Sequence, residues 1–217
     1  MHSIYKVSLV VAALLPVGAT AQDWSGAYGG AAVGLFTGTV EAEGDVDFTE
    51  FSADEDLDGE MFGLRGGYLF QDGSLVYGGE VGYYVGEVSY DGTTTSTSTI
   101  EYEFSIDEKF EIRGIIGTIL ENGALVFGSL GYVLAETSTE FESSDFIGFV
   151  GDDNSREGFA VGVGYAQFVN TGVSLTAELV YTDLGEERYV GDSVVGTTRV
   201  DQDVTTTELR VGANYKF

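Results

Sequence analysis

Glu208-Leu209-Arg210-Val211-Gly212-Ala213-Asn214-Tyr215-Lys216-Phe217 alternates without a break. Leu209, Val211, Ala213, Tyr215 and Phe217 share one parity; Glu208, Arg210, Gly212, Asn214 and Lys216 share the other. Side chains on a strand point alternately to opposite faces, so this is a strand with one apolar and one polar face. Val173, Leu175, Ala177, Leu179 and Tyr181 repeat the pattern against Ser174, Thr176, Glu178 and Thr182. Phe159, Val161, Val163 and Tyr165 do so against glycines and alanines, and Tyr77, Val81, Tyr83 and Val85 against Gly78, Glu80, Gly82 and Tyr84.

Turn signals space these segments evenly. Asp72-Gly73, Asn122-Gly123 and Asn170-Thr171-Gly172 are hairpin sequences. Their glycines lie 50 and 49 residues apart. The chain divides into eight strands, read at 24–36, 60–70, 75–88, 104–120, 124–135, 158–169, 173–183 and 204–217. Between them, polar stretches at 37–59, 89–103, 136–157 and 183–203 read as long loops. Short turns at one end and long loops at the other is the asymmetry of an outer-membrane barrel. The expected fold is therefore all-β: an eight-stranded antiparallel up-and-down transmembrane barrel with short periplasmic turns and long acidic extracellular loops. The first and fifth strands alternate too weakly for their faces to be assigned.

Composition narrows the function. The chain of 217 residues has no Cys, one Pro, one His and 32 Gly. Disulfide scaffolds and thiolate metal sites are excluded. A formal charge of -27 excludes nucleic acid as a partner, since phosphate binding needs Lys and Arg in excess. Residues 1–21 read as a signal peptide: Lys6 in the n-region, Val7 to Gly18 as the apolar core, and Ala19-Thr20-Ala21 as the cleavage site. The apolar core is shorter than the ~20 residues a spanning helix needs. The mature barrel is then 22–217, with 36 acids, 8 bases, and neither His nor Pro. Losing His2 removes the usual general base and zinc ligand, so no enzyme is expected. Missing prolines suit strands in lipid, where a lost ladder hydrogen bond finds no substitute.

Charge placement selects the inner face. Arg65, Glu80, Lys109, Glu111, Arg113, Glu178, Glu208, Arg210 and Lys216 lie on or at the ends of the polar strand faces. Five are positive and four negative, while the rest of the mature chain is strongly acidic. Near-balance in the strands points to paired side chains in a confined lumen, because an unpaired buried charge costs several kcal/mol. Ordinary solvated strand charges are the alternative. The expected lumen network is Arg65, Glu80, Glu111, Arg113, Glu178, Glu208, Arg210 and Lys216. Trp24, Tyr28, Tyr68, Phe70, Tyr77, Phe168, Tyr215 and Phe217 cluster near strand ends, as rings at a membrane–water boundary do.

The start of the mature chain, Trp24-Ser25-Gly26-Ala27-Tyr28-Gly29-Gly30, resembles the W-x-G-x-Y-x-G opening of small porin-like outer-membrane proteins. Its end, with Phe217 terminal and Leu209, Val211, Ala213 and Tyr215 at alternate positions, looks like their last strand. The family implied is the outer-membrane β-barrel domain family, similar to the OmpA transmembrane barrel. That resemblance implies a Gram-negative outer membrane, lipid as the surrounding partner, and recognition of the last strand by the barrel-insertion machinery. It fixes no single activity and no oligomeric state. The very acidic loops depart from it, and no appended peptidoglycan-binding domain is expected.

Two functional expectations follow. One is a structural or porin-like role, with a narrow lumen, weakly cation-selective because acids such as Asp54, Asp56, Asp58, Asp152 and Asp153 lie near its mouth. The other is a surface adhesin or binding barrel acting through the acidic loops. Asp54-Glu55-Asp56-Leu57-Asp58-Gly59 matches half of a calcium loop, but Arg65 stands where an EF-hand needs a bidentate Glu. No cofactor is expected; a divalent cation at Asp54, Asp56 and Asp58 is the alternative to a solvated acidic loop.

Overall fold

The computed structural model describes residues 23–46, 49–95, 99–143, 152–192 and 197–217. Residues 1–21, read above as a signal peptide, lie outside the described residues. Eight strands follow in chain order: β1 (Gly26–Val46), β2 (Thr49–Asp72), β3 (Leu75–Thr95), β4 (Thr99–Ile119), β5 (Leu125–Ser143), β6 (Asp152–Asn170), β7 (Val173–Asp192) and β8 (Thr197–Lys216). Each pairs antiparallel with its sequence neighbour. The β1–β8 ladder, from Tyr28↔Lys216 to Asp45↔Arg199, closes the barrel.

Gly73, Gly123 and Gly172 take φ of 62°, 79° and 90° in the three short turns. Those turns need a left-handed residue, which is why the glycines were visible as punctuation.

Strand length differs from the sequence expectation. The stretches read as loops at 37–59, 89–103, 136–157 and 183–203 are largely ladder. Phe36↔Gly59 runs on to Val46↔Thr49, and Ser89↔Ser105 to Thr95↔Thr99. The sequence of these extensions carries no apolar alternation, yet the backbone still pairs. Periodicity reads burial rather than backbone pairing and stops where the apolar band stops.

Faces alternate throughout. Outward rows such as Tyr77, Val81, Tyr83 and Val85 are exposed, while Val76, Glu80, Tyr84 and Val88 are buried. The first strand turns Ala32, Phe36 and Val40 inward; the fifth turns Leu125, Phe127, Val133 and Ala135 inward. Both were illegible because apolar residues occupy both of their faces.

The outward apolar row of β3 runs from Tyr77 to Val85 and ends at exposed Glu87. At about 3.3 Å per residue and a tilt of about 45°, such a row spans roughly 20 Å, close to the ~25 Å apolar band of these barrels. Glu60, Glu108, Glu136, Glu157 and Asp183 stand at the corresponding outward position of β2, β4, β5, β6 and β7. On β1 and β8 that level is held by threonines, with Thr39 and Thr205 hydroxyls 3.2 Å apart.

Candidate functional site: the filled lumen

The interior is stacked in three layers. Near the short turns, Trp24, Leu69, Val76, Ile115, Leu125, Phe127, Ala166 and Phe168 form an apolar floor. Toward the long hairpins, Phe36, Val40, Leu57, Met61, Tyr84, Val88, Ile106, Val133, Val180 and Val204 belong to a second apolar cluster. Between them lies the charge.

Register supplies one pair directly. Glu80 and Arg113 are partners across β3–β4, with Arg113 Nη2 2.7 Å from Glu80 Oε1. Arg210 and Glu208 pair within β8, and most other pairs cross the lumen. Arg113 Nη1 reaches Glu178 Oε2 of β7 at 2.6 Å. Arg65 of β2 donates to Glu178 and to Thr176, and its Nε to Asn214 Oδ1 at 2.9 Å. Arg210 of β8 grips Glu208 with Nε–Oε1 at 2.7 Å and Nη2–Oε2 at 2.8 Å, and reaches Glu111 Oε2 of β4 at 3.0 Å. Lys109 Nζ stands 2.6 Å from Glu208 Oε2. Tyr28 donates its hydroxyl to Glu80 Oε2 at 2.7 Å. In a ring of eight, β4 and β8 are diametrically opposite, so Lys109–Glu208 and Arg210–Glu111 tie opposite walls together. All eight of these Arg, Lys and Glu side chains are buried, four of each sign.

Aromatic rings sit among the cations. The Arg210 guanidinium lies 4.4 Å from the Tyr84 ring centroid, and Lys109 Nζ lies 4.6 Å from that of Phe36 and 4.9 Å from that of Tyr84. Both are within cation–π range. The Tyr84 hydroxyl is buried without a hydrogen-bond partner among the described residues. Glycine makes room for this packing: a Cβ on Gly63 would lie 2.1 Å from Tyr84 Cδ1, and one on Gly164 would lie 2.4 Å from Phe127 Cζ.

The structure thus brings together Arg65, Glu80, Glu111, Arg113, Glu178, Glu208 and Arg210, with Lys109 added. Lys216 is not among them. It has the inward parity, but at the strand's last turn its long stem reaches the rim, donating to the Asp23 carbonyl with Nζ 3.7 Å from Asp23 Oδ2. There the backbone N–H of Ser25 and the Lys216 charge hold the Asp23 carboxyl below its usual range. Arg156 was missed altogether. It is buried above the charge layer, 3.3 Å from Glu187 and bonded to Gln202. Its segment carries no apolar alternation, so it read as loop.

Two more expectations change. Tyr68, Phe70, Tyr77, Tyr215 and Phe217 do form an outward aromatic girdle, with Tyr68–Phe70 and Phe70–Tyr77 centroids 4.8 and 5.5 Å apart. Trp24, Tyr28 and Phe168 instead face inward, on the parity of the lumen. The acidic calcium-like motif is extended strand: Asp56 and Asp58 pair with Thr39 and Thr37 on β1. Alternate strand residues stand about 6–7 Å apart, which does not wrap a cation as a loop does. The side chains of Asp54, Asp152 and Asp153 lie outside the described residues. Among the described residues no group of three or more His, Cys, Asp or Glu is placed to hold a metal ion.

The outward row Leu209, Val211, Ala213, Tyr215 and Phe217 faces away from the lumen, with Val211, Tyr215 and Phe217 49%, 53% and 80% exposed. Apolar side chains this exposed over a whole barrel require an apolar solvent.

A closed barrel, apolar outside and lined by paired charges within, defines a transmembrane β-barrel of the outer-membrane type. The chain belongs to the outer membrane protein beta-barrel domain family, whose model matches residues 7–217. It is 25% identical over 212 residues to the 31 kDa outer-membrane immunogenic protein of Brucella melitensis biotype 1, covering 90% of this chain and 84% of that relative. In fold it is similar to the outer membrane protein OprG from Pseudomonas aeruginosa (14% identity, TM-score 0.55, 89% of this chain and 97% of that one). It is equally similar to the outer membrane protease OmpT from Escherichia coli (12% identity, TM-score 0.55, 88% and 97%). The protein is a small β-barrel of the Gram-negative outer membrane.

Proposed function

We propose that this barrel is a structural, non-catalytic outer-membrane protein whose lumen is closed to solute. The carrying observation is the stack of layers. Leu57, Met61, Tyr84, Val88, Val133 and Val204 are fully buried in the upper cluster. An ion crossing there would shed its water against apolar side chains, then displace eight mutually paired charges. Acids at the mouth would still attract cations, but attraction opens no path. The test is single-channel recording of refolded protein in a planar bilayer. The expected result is no steady current at any voltage; a steady cation-selective current would restore the narrow-pore reading.

A second reading, surface binding, is favoured by the hairpins. β3 and β4 stay paired past the apolar row to Thr95↔Thr99, so the acidic and hydroxyl residues of this stretch sit on a backbone ladder beyond the apolar band. The relative in Brucella is described as immunogenic, which is a property of that protein. Loss of binding to a defined cationic surface on shortening this hairpin, with the barrel intact, would support it. The row from Leu209 to Phe217 is proposed to serve as the signal read by the insertion machinery.

A further inference from the structure

Trp24 is the one tryptophan of the chain and stands just before β1. Its indole is 5% exposed. The indole N–H donates to the carbonyl of Gly123, in the β4–β5 turn, at 3.3 Å. Its backbone N–H donates to Gln71 Oε1 at 2.8 Å, and the Gln71 N–H donates to Ser25 Oγ at 2.9 Å. The ring packs on Phe168 of β6 with centroids 4.3 Å apart. In a closed ring of eight, β1 and β5 are opposite walls. One residue therefore sits across the short-turn mouth, its indole held by the β4–β5 turn and by Phe168 and its backbone by Gln71.

Directly inside lies a cavity of about 40 Å³, lined by Trp24 and Phe168 below and by Tyr28, Arg65, Ser174 and Glu178 among the polar groups. That volume suits only about one to three waters. The cavity is the link between the periplasmic mouth and the charge layer.

We infer that Trp24 is a stopper: it closes the periplasmic mouth and keeps bulk water from the Arg65–Glu178 and Arg113–Glu80 pairs. Removing the indole converts the cavity into a blind, charge-lined vestibule open to the periplasm. The upper apolar layer still seals the other end, so water enters but does not pass. This extends the closed-lumen reading and fails separately from it. Current across the bilayer reports on the upper layer, whereas access from below reports on Trp24.

The chain has no cysteine, so a single thiol is a clean reporter. Ser174 is buried and lines the cavity. In the refolded Ser174→Cys protein, a membrane-impermeant maleimide should react slowly. Adding Trp24→Ala should speed labelling by about tenfold or more, since access no longer needs local opening. Adding Trp24→Phe instead, which keeps a ring but loses the N–H, should leave labelling close to slow. Gel mobility without boiling checks that each variant is folded. Equal labelling with and without the indole would overturn the stopper. Should Trp24→Ala not fold, the unmodified protein decides. Its only indole should emit at short wavelength and resist acrylamide, and quenching as strong as in the urea-unfolded chain would overturn the inference.

Discussion

Glu178 and Arg210 are partners across the β7–β8 ladder, yet each closes its ion pairs elsewhere: Glu178 on Arg65 and Arg113, Arg210 on Glu208 and Glu111. A local pair would staple two adjacent strands. Arg210–Glu208 lies within β8, but Glu178 to Arg65 and Arg113, and Arg210 to Glu111, staple walls across the lumen, so the network depends on the whole ring being closed. Replacing Arg210 with Met should leave Glu111 and Glu208 short of a cation in a dry interior. The expected loss is about 3–5 kcal/mol, read from urea unfolding in lipid vesicles. Adding Glu208→Gln should recover part of it, because one stranded charge is gone. A loss below about 1 kcal/mol would mean that the layer is already hydrated.

Space for the network is set by glycine. The Gly63 Cβ position falls on the Tyr84 ring, which is fully buried and cannot swing outward. Gly63→Ala should therefore cost about 1–3 kcal/mol as overpacking. Outward-facing Gly79 is the control: a Cβ there meets nothing nearer than Arg113 O at 3.8 Å. Gly79→Ala should stay within about 0.5 kcal/mol of the parent or stabilise it slightly. Equal costs at the two positions would remove the packing explanation.

How much of this was legible depended on contrast between faces. β8 was readable residue by residue because its rows differ sharply, Leu209 to Phe217 against Glu208 to Lys216. That contrast also marked Glu80, Arg113, Glu178 and Arg210 as inward. β5 gave no contrast, since Phe127 inside is as apolar as Leu130 outside. Trp24 read as girdle because ring type says nothing of parity two residues before a strand begins. Arg156 and the outer ladders read as loop because their sequence carries no apolar alternation, so nothing in it marks a strand or an inner face. Most pair identities were beyond sequence for a further reason: apart from Glu80–Arg113 and the same-strand Arg210–Glu208 they cross the barrel, and register alone would have joined Glu178 to Arg210.

The outer rim carries a cost that substitution can relieve. Glu108 and Glu136 stand directly opposite in β4–β5, and Glu60 and Glu87 in β2–β3. Like charges facing across a ladder destabilise it, by about 0.2–1 kcal/mol relative to a neutral pair. Glu108 also accepts the Tyr83 hydroxyl, so Glu136 is the side to change. Glu136→Lys should raise the urea midpoint at low salt, and the gain should shrink as ionic strength screens it. A salt-independent change would point to packing rather than charge.

The position of the membrane can be tested by moving one charge along the lipid face. Leu130 lies near the middle of the outward row of β5 and is 63% exposed, opposite Gly114 of β4. Thr118 is outward on β4 close to the short-turn end, opposite Val126. An arginine at the bilayer midplane of such a barrel costs about 2–4 kcal/mol, falling to about 0–1 near either interface. Leu130→Arg should accordingly lose about 2–4 kcal/mol in unfolding from lipid vesicles, while Thr118→Arg should lose about 1 or less. Neither residue touches the lumen, so the charge network is unaltered in both. In detergent micelles, whose apolar region is thinner and more yielding, the difference should narrow. Equal losses at the two positions in lipid would show that the row from Tyr77 to Val85 and its counterpart on β5 do not mark the apolar band. The level of Glu87 and Glu136 would then not be the outer boundary of the membrane.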